Sequence, residues 1–242
     1  RKITNKENQM KRPYVVCHML TSIDGKIDGE FFESSESLSA LRRFEKVRDF
    51  YECNAVLYGT TTMERGYSNG RINSISKNGV VYPRKDYVAK SEVENYIVSV
   101  DPEGILAFDG KYIERKNREK YHIIEILTDK VSNEYLSYLR ALDISYVFAG
   151  KARLDCRLTL EKLREKFSIE KLMISGGGFT NWSFAESGLI DELSIVVSPV
   201  ADGNRFSASI FEKADFLPRR SPISFTLKSA DTFEGGILWL RY

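Results

Sequence analysis

The sequence contains few of the residues that bind metals or form disulfide bonds. Among 242 residues there are three cysteines, far apart in the chain, and two histidines, and these five residues do not have the spacing of a zinc site. An odd number of scattered cysteines is typical of reduced thiols, so we expect a cytoplasmic protein. Because the zinc-site spacing is missing, we also expect no bound metal. The five residues are Cys17, His18, Cys53, His122 and Cys156.

The sequence also lacks long apolar runs and a strong excess of charge. No apolar run approaches the roughly 20 residues that cross a bilayer, which argues against a membrane protein. The 36 basic and 34 acidic residues give a net charge of +2, too small to favour nucleic acid or an anionic membrane surface as a partner. Residues 1–11 are expected to form a polar tail, since they lack the apolar segment of a signal peptide.

Length and hydrophobic pattern predict one α/β domain over residues 12–242. Hydrophobic residues make up 42% of the chain, enough for a sizeable core. Short apolar runs of strand type alternate with segments of helical spacing, which predicts a mostly parallel central sheet flanked by helices. Near the C-terminus, Glu234-Gly235-Gly236 between two strand candidates predicts an antiparallel hairpin. One predicted helix has the apolar stripe Leu38, Leu41, Phe44, Val47 and Tyr51.

A run of three glycines marks the first candidate site. An apolar run, residues 172–174, leads through Ser175 into Gly176, Gly177 and Gly178, and a helical segment follows. Glycines let the backbone approach a ligand closely, and the free N–H groups at a helix N-terminus suit a phosphate or pyrophosphate. The alternative is a tight strand-to-helix turn that binds nothing, because the glycines do not have the G-x-G-x-x-G spacing.

Two further turns follow predicted strands. A buried-type strand, residues 55–58, ends in Gly59, Thr60, Thr61 and Thr62, where threonine could contact a ligand or only cap the next helix. An N-terminal strand, residues 14–20, runs into a turn at Asp24-Gly25. The carboxyl ends of parallel strands share one edge of a sheet, so we expect these turns and the glycine turn to converge on a cleft.

Together these motifs resemble the riboflavin-biosynthesis reductases, a family that includes the C-terminal half of the bacterial bifunctional deaminase-reductase. Arg12-Pro13-Tyr14, followed by a strand and residues 21–27, resembles the family's opening "RPYV…SLDGKIA". Residues 54–62 resemble its strand and turn "DAVLVGxGT". Residues 172–203 resemble "LLVEGGGxLNxSFLxxGLVDELxLxIAPxxxG". The matches in this last motif are Gly176, Gly177, Gly178, Asn181, Ser183, Phe184, Gly188, Leu189, Asp191, Glu192, Leu193, Pro199 and Gly203.

The resemblance implies a dihydrofolate-reductase-like fold, NADPH as hydride donor, a small-molecule substrate and a homodimer. It implies that two turns contact the cofactor phosphates, that the end of the first strand lies beside the nicotinamide, and that a serine lies near the adenosine. The phosphate-contacting turns are Gly59, Thr60, Thr61 and Thr62, and Gly176, Gly177, Gly178, Phe179 and Thr180. The residues beside the nicotinamide are Leu20 and Thr21, and the serine near the adenosine is Ser99.

The implied substrate is a ribosylamino-pyrimidine phosphate of the 5-amino-6-(5-phosphoribosylamino)uracil type, which is reduced to a ribitylamino product. Ser34 matches a substrate-contacting serine, and Ser175 stands where the family has an acidic residue that contacts substrate. Because of that difference, reduction of another pterin-like or carbonyl compound is one alternative. A nucleotide-binding protein without catalysis is another.

Two residues are candidates for proton transfer. His18 lies on the first predicted strand, where it could donate a proton near neutral pH or be a buried structural histidine. Asp24 is the only acid within a matched motif near the expected nicotinamide position. It could transfer a proton or only form the turn.

Overall fold

The computed structural model describes residues 11–75, 80–115, 119–215 and 222–242, so the predicted tail, apart from Lys11, lies outside the described residues. In chain order the strands are β1 (Tyr14–Thr21), β2 (Ala55–Gly59), β3 (Tyr96–Val100), β4 (Tyr112–Ile113), β5 (Tyr121–Leu127), β6 (Ser145–Phe148), β7 (Lys171–Ile174), β8 (Glu192–Val197), β9 (Ser229–Phe233) and β10 (Ile237–Arg241). The α-helices are α1 (Ser35–Phe50), α2 (Thr60–Gly66), α3 (Asn133–Ala141), α4 (Cys156–Phe167) and α5 (Gly178–Glu186). A 3-10 helix, Glu30–Glu33, precedes α1.

The chain forms two compact units. The first comprises Arg1–Pro13 and Asn54–Leu172, and the second comprises Tyr14–Cys53 and Met173–Tyr242. Strand β7 begins in the first unit and ends in the second. The single domain expected over residues 12–242 stays a prediction.

The first unit contains parallel strands in the order β2, β3, β5, β6. Ala55 pairs with Tyr96, Tyr96 with His122, and Ile124 with Ser145. All of β2, and all but the first residue of β3 and β5, are buried, as expected for strands covered on both faces. The two-residue strand β4, which the sequence pattern did not indicate, runs antiparallel to the start of β5.

Two acidic side chains are buried together in the first unit. Glu125 on β5 is fully buried, and Asp101, which follows β3, is 1% exposed. The hydroxyl of Tyr135 lies 3.2 Å from Asp101 Oδ2 and 3.4 Å from Glu125 Oε2. Burial and the charge of Asp101 raise the pKa of Glu125 well above its usual value. Two neighbouring buried carboxylates repel each other, so burial beside Asp101 favours the protonated form of Glu125.

The second unit combines one parallel pair with the C-terminal hairpin. β1 runs parallel to β8, from Val16 opposite Glu192 to Thr21 opposite Val197. β10 is antiparallel to both β8 and β9. The turn between β9 and β10 contains Gly235 and Gly236 at φ 82° and 77°. The predicted α/β fold, with parallel strands, flanking helices and a C-terminal antiparallel hairpin, is confirmed.

Helix α1 forms as predicted, but its buried face differs from the predicted apolar stripe. Ser34 caps the helix by accepting a hydrogen bond from Ser37 N at 3.1 Å. Ser37 is buried and its hydroxyl lies 2.8 Å from Ser198 Oγ, whereas Leu38 is 48% exposed. The stripe is therefore wrong at Leu38, because a hydrogen-bonded serine occupies the interior position beside it.

The structure shows the state of the cysteines and whether the described residues include a membrane-spanning helix or a metal-binding group. The three cysteines are free thiols, of which Cys17 and Cys156 are buried. No helix within the described ranges is long and apolar enough to cross a membrane. The described residues contain no group of three or more His, Cys, Asp or Glu side chains placed to hold a metal ion.

Candidate active site

The glycine turn joins β7 to α5 in the second unit. Gly176 has φ 99°, a conformation that favours glycine, and a Cβ there would lie 3.3 Å from Met19 Cε. Gly178 begins α5, and a Cβ on it would lie 2.4 Å from the backbone oxygen of Ser209. Gly177 is the N-cap of α5 with an ordinary φ of −74°. The turn therefore requires glycine at Gly176 for its positive φ and at Gly178 for its close approach to Ser209.

The N-terminus of α5 is suited to an anion. Among the described residues no side chain caps this helix, and its first turn contains no acidic residue, whereas side chains of Ser34, Ser132 and Asp155 cap α1, α3 and α4. Free N–H groups and the positive end of the helix dipole both attract negative charge. The start of α5 therefore fits a phosphate or pyrophosphate group better than the starts of those helices.

His18 is buried, and both of its ring nitrogens are hydrogen-bonded. Nε2 lies 3.0 Å from the carbonyl oxygen of Phe44, so Nε2 must carry the proton and donate. Nδ1 lies 2.9 Å from Ser194 Oγ, which also accepts a hydrogen bond from Trp239 Nε1 at 2.9 Å. Burial lowers the pKa of His18 to about 4. The geometry therefore favours the structural alternative for His18 over proton donation.

Asp24 lies on an exposed turn, where hydrogen bonds use both of its carboxylate oxygens. Oδ1 accepts from Ser22 Oγ at 2.6 Å and from Asp202 N at 2.9 Å, and Oδ2 accepts from Gly203 N at 3.0 Å. These hydrogen bonds lower the pKa of Asp24 below its usual value. An acid that is held ionised in this way suits turn formation better than proton donation.

The predicted substrate residues have local hydrogen bonds. Ser175 is half-buried, and its hydroxyl donates to the carbonyl oxygen of His18 at 3.1 Å. The hydroxyl of Ser34 donates to Phe31 O at 3.0 Å while it caps α1. Leu20 and Thr21, at the end of β1, are 5% and 3% exposed.

The remaining predicted cofactor residues lie in the first unit. Gly59 is the N-cap of α2, whose N-terminus also has no side-chain cap within the described ranges. The hydroxyl of Thr60 donates to Val100 O at 2.7 Å, while Thr61 is exposed and Thr62 half-buried. Ser99 is fully buried beside Glu125, so contact with a cofactor would require this side chain to become exposed.

Comparison with known proteins identifies the family. The RibD C-terminal domain family matches residues 13–239, which is nearly the whole chain. The chain belongs to this family. A relative from Methanothermobacter thermautotrophicus, named 2,5-diamino-6-ribosylamino-4(3H)-pyrimidinone 5′-phosphate reductase, is 24% identical over 91% of this chain and 94% of its own. A protein of the same name from Aquifex aeolicus is 23% identical, with 91% and 92% coverage.

Solved structures show the same fold. RibD from Acinetobacter baumannii superposes with a TM-score of 0.62 and 22% identity, covering 96% of this chain and 57% of that one. The chain therefore spans little more than half of that RibD. The riboflavin biosynthesis reductase Rib7 from Saccharomyces cerevisiae gives a TM-score of 0.60 at 15% identity, covering 96% and 89%. The expected resemblance to riboflavin-biosynthesis reductases is confirmed, and the chain is an oxidoreductase.

Within the second unit of this RibD C-terminal domain, two of the predicted turns lie close together. Ser175 bonds the backbone of His18, and the Cβ position of Gly176 faces Met19 and Ile27, which flank the Asp24 turn in the chain. Convergence of these turns with residues 59–62, and contact of Ser99 with a cofactor, stay predictions.

Sequence reasoning missed one segment of this RibD C-terminal domain, residues 201–212. Its Asp202 accepts hydrogen bonds from Ser207 Oγ at 2.7 Å and from Phe31 N at 3.2 Å. Glu212 N donates to Gly178 O at 3.1 Å. Only Gly203, the last residue of the matched motif, pointed to this segment, because its other residues show neither periodicity nor a motif.

Proposed function

We propose that this protein is an NADPH-dependent reductase of riboflavin biosynthesis that acts on a ribosylamino-pyrimidine 5′-phosphate. Membership of the RibD C-terminal domain family supports the reaction class. The names of two relatives that align along more than nine-tenths of their own length support the substrate class. A cytoplasmic location and a homodimer are part of the same proposal.

The observation that carries the cofactor assignment is the uncapped N-terminus of α5. The pyrophosphate of NADPH would be held by backbone N–H groups of Gly177, Gly178, Phe179 and Thr180, in a helical turn that contains no acidic residue of its own. We assign Leu20 and Thr21, at the end of β1 in the same unit, to the nicotinamide side of the site. Gly59, Thr60, Thr61, Thr62 and Ser99 stay candidates for further cofactor contacts.

The protein's own contribution is binding and orientation. In the proposed reaction, C1′ of the ring-opened ribosylamino group gains a hydride, the attached nitrogen gains a proton, and a ribitylamino product forms. Bound NADPH would supply the hydride. The backbone of the glycine turn and the end of β1 would hold the reactants in place, which lowers the entropic part of the barrier.

Ser175 supports a second candidate function. A carboxylate at this position could accept hydrogen bonds from a substrate's hydroxyl or amino groups, but the serine hydroxyl is short, neutral and bonded to His18 O. A reductase with NADPH and a different pterin-like or carbonyl substrate would not need that carboxylate.

Titration calorimetry with NADPH and NADH, followed by assays of NADPH consumption with each candidate substrate, tests these functions. We expect tight NADPH binding, and consumption that depends on a ribosylamino-pyrimidine phosphate. Consumption with only a pterin-like or carbonyl compound would support the second candidate. Binding without turnover of any compound would indicate a nucleotide-binding protein, and absence of NADPH binding would contradict the cofactor assignment.

A further inference from the structure

Residues 201–212, which we call the clamp segment, are bonded to the Asp24 turn at residues 202, 203 and 207–210. The Asp24 carboxylate accepts hydrogen bonds from Asp202 N at 2.9 Å and from Gly203 N at 3.0 Å. Lys26 forms an antiparallel bridge with Ser209 in the same unit. Further hydrogen bonds along this bridge are Ile27 N to Ala208 O at 2.9 Å, Lys26 Nζ to Ser207 O at 2.9 Å and Ile210 N to Gly25 O at 3.3 Å.

The C-terminal end of the clamp segment, residues 209–212, lies against the first turn of α5. Glu212 donates its N–H to Gly178 O at 3.1 Å and accepts from Ser209 N at 2.9 Å through its side chain. The buried side chain of Asn181 donates to Ile210 O at 2.8 Å. The Cβ position of Gly178 lies only 2.4 Å from Ser209 O, so the two backbones are in close contact. A shift of the clamp segment would therefore disturb the start of α5.

The clamp segment is also held by bonds of its own. Asp202 Oδ1 accepts from Ser207 Oγ at 2.7 Å and from Asn204 N at 3.2 Å, which closes the turn between them. Asp202 Oδ2 accepts from Phe31 N at 3.2 Å. Asp202 therefore links Ser207 of the clamp segment to the residues that the Asp24 carboxylate holds.

We propose that Asp24 is a positioning residue whose carboxylate anchors the clamp segment, and that the clamp segment holds the start of α5 in the geometry that receives the cofactor's pyrophosphate. The proposal rests on the proposed function, since it takes α5 as the cofactor site. It assigns no proton transfer to Asp24, because both carboxylate oxygens already accept hydrogen bonds.

Asp24→Asn tests the proposal, because the asparagine keeps one acceptor oxygen and loses the other. We expect NADPH binding to weaken measurably in titration calorimetry, by no more than about tenfold, because NADPH binding must then restore a clamp contact that one charge-assisted hydrogen bond held in the wild type. At saturating cofactor, kcat should change by less than about twofold, with an unchanged pH profile. Asp49→Asn, the same change at an exposed residue of α1, is the matched control and should bind NADPH as the wild type does.

Hydrogen exchange of the cofactor-free protein gives an independent measurement. Asp24→Asn should speed amide exchange in the clamp segment and in residues 178–181, while Asp49→Asn should not. Ser207→Ala removes a clamp bond without touching Asp24 and should weaken NADPH binding in the same direction. If Asp24→Asn fails to fold, NADPH binding by Ser207→Ala tests the role of the clamp segment in its place.

Three results would overturn the positioning role. The first is unchanged NADPH affinity in Asp24→Asn, whether or not kcat falls. The second is loss of one limb of its pH profile, which would indicate proton transfer. The third is unchanged hydrogen exchange at the start of α5. Failure of the wild-type protein to bind NADPH would contradict the proposed function instead, and the exchange measurement would still test the clamp.

Discussion

Gly177 is the glycine at which the cofactor site can be tested with the least disturbance of the fold. Its φ of −74° and ψ of −170° are allowed for any residue, so these angles do not by themselves require glycine. Gly176 has φ 99°, and Gly178 has Ser209 O within 2.4 Å of its Cβ position, so substitution of either would disturb the fold itself. Gly177→Val therefore adds bulk beside the N–H groups that begin α5 at a position with ordinary backbone angles.

The expected effect is a weaker affinity for NADPH. A hydrogen bond from a backbone N–H to a charged phosphate oxygen contributes roughly 1.5–3 kcal/mol, so preventing one such bond should weaken binding by at least about tenfold, or ~1.4 kcal/mol. Titration calorimetry measures the change. Gly110→Val is the matched control, since a Cβ there meets nothing within 4 Å. Unchanged affinity in a Gly177→Val protein with wild-type circular dichroism and Tm would remove this turn from the cofactor site.

Three further predictions concern the acid pair, the substrate and the assembly. Burial raises the pKa of Glu125 in the folded protein above its pKa in the unfolded chain. The stabilisation from protonated Glu125 is therefore complete at pH values below the unfolded pKa and is lost as the pH rises through the folded pKa. Thermal unfolding should therefore show Glu125→Gln more stable than the wild type at about pH 8 but not at about pH 5, and parallel profiles would contradict this. Ser175→Glu should raise kcat/KM for the ribosylamino-pyrimidine phosphate over a weak native value, and ordinary turnover by the native enzyme would show that Ser175 is no obstacle. Light scattering at micromolar concentration should give a dimer mass, because β10 exposes 37% of Leu238 near a sheet edge, and a monomer mass would refute the dimer.

The sequence predicts the strands, helices and glycine turn well because their signals are local. The glycine run interrupts an apolar strand and permits the tight turn with positive φ that a strand-to-helix connection needs, and the structure has α5 beginning at Gly178. The hairpin is similarly determined by Gly235 and Gly236, whose positive φ angles form the turn. The sequence predicted Ser34 as a substrate contact and not as the cap of α1, a role that the structure gives it through a hydrogen bond from Ser37 N.

Features that depend on distant partners could not be predicted in this way. The buried face of α1 depends on Ser198, 161 residues from Ser37. The state of His18 depends on Phe44 and Ser194, which complete its hydrogen bonds in the interior. The turn at Asp24 could be predicted from the pair Asp24-Gly25. The hydrogen bonds from Asp24 to residues 202 and 203 could not, because residues 201–212 show no sequence pattern.

The most direct test of the proposed reductase follows the hydride itself. The purified protein is incubated with NADPH that carries deuterium at the transferable position and with 2,5-diamino-6-ribosylamino-4(3H)-pyrimidinone 5′-phosphate, the compound in the names of two relatives. Mass spectrometry of the product should find a ribitylamino compound with one deuterium at C1′, formed slowly by the native enzyme and faster by Ser175→Glu. A ribitylamino product without deuterium, or no product from either protein while NADPH is bound, would contradict the account.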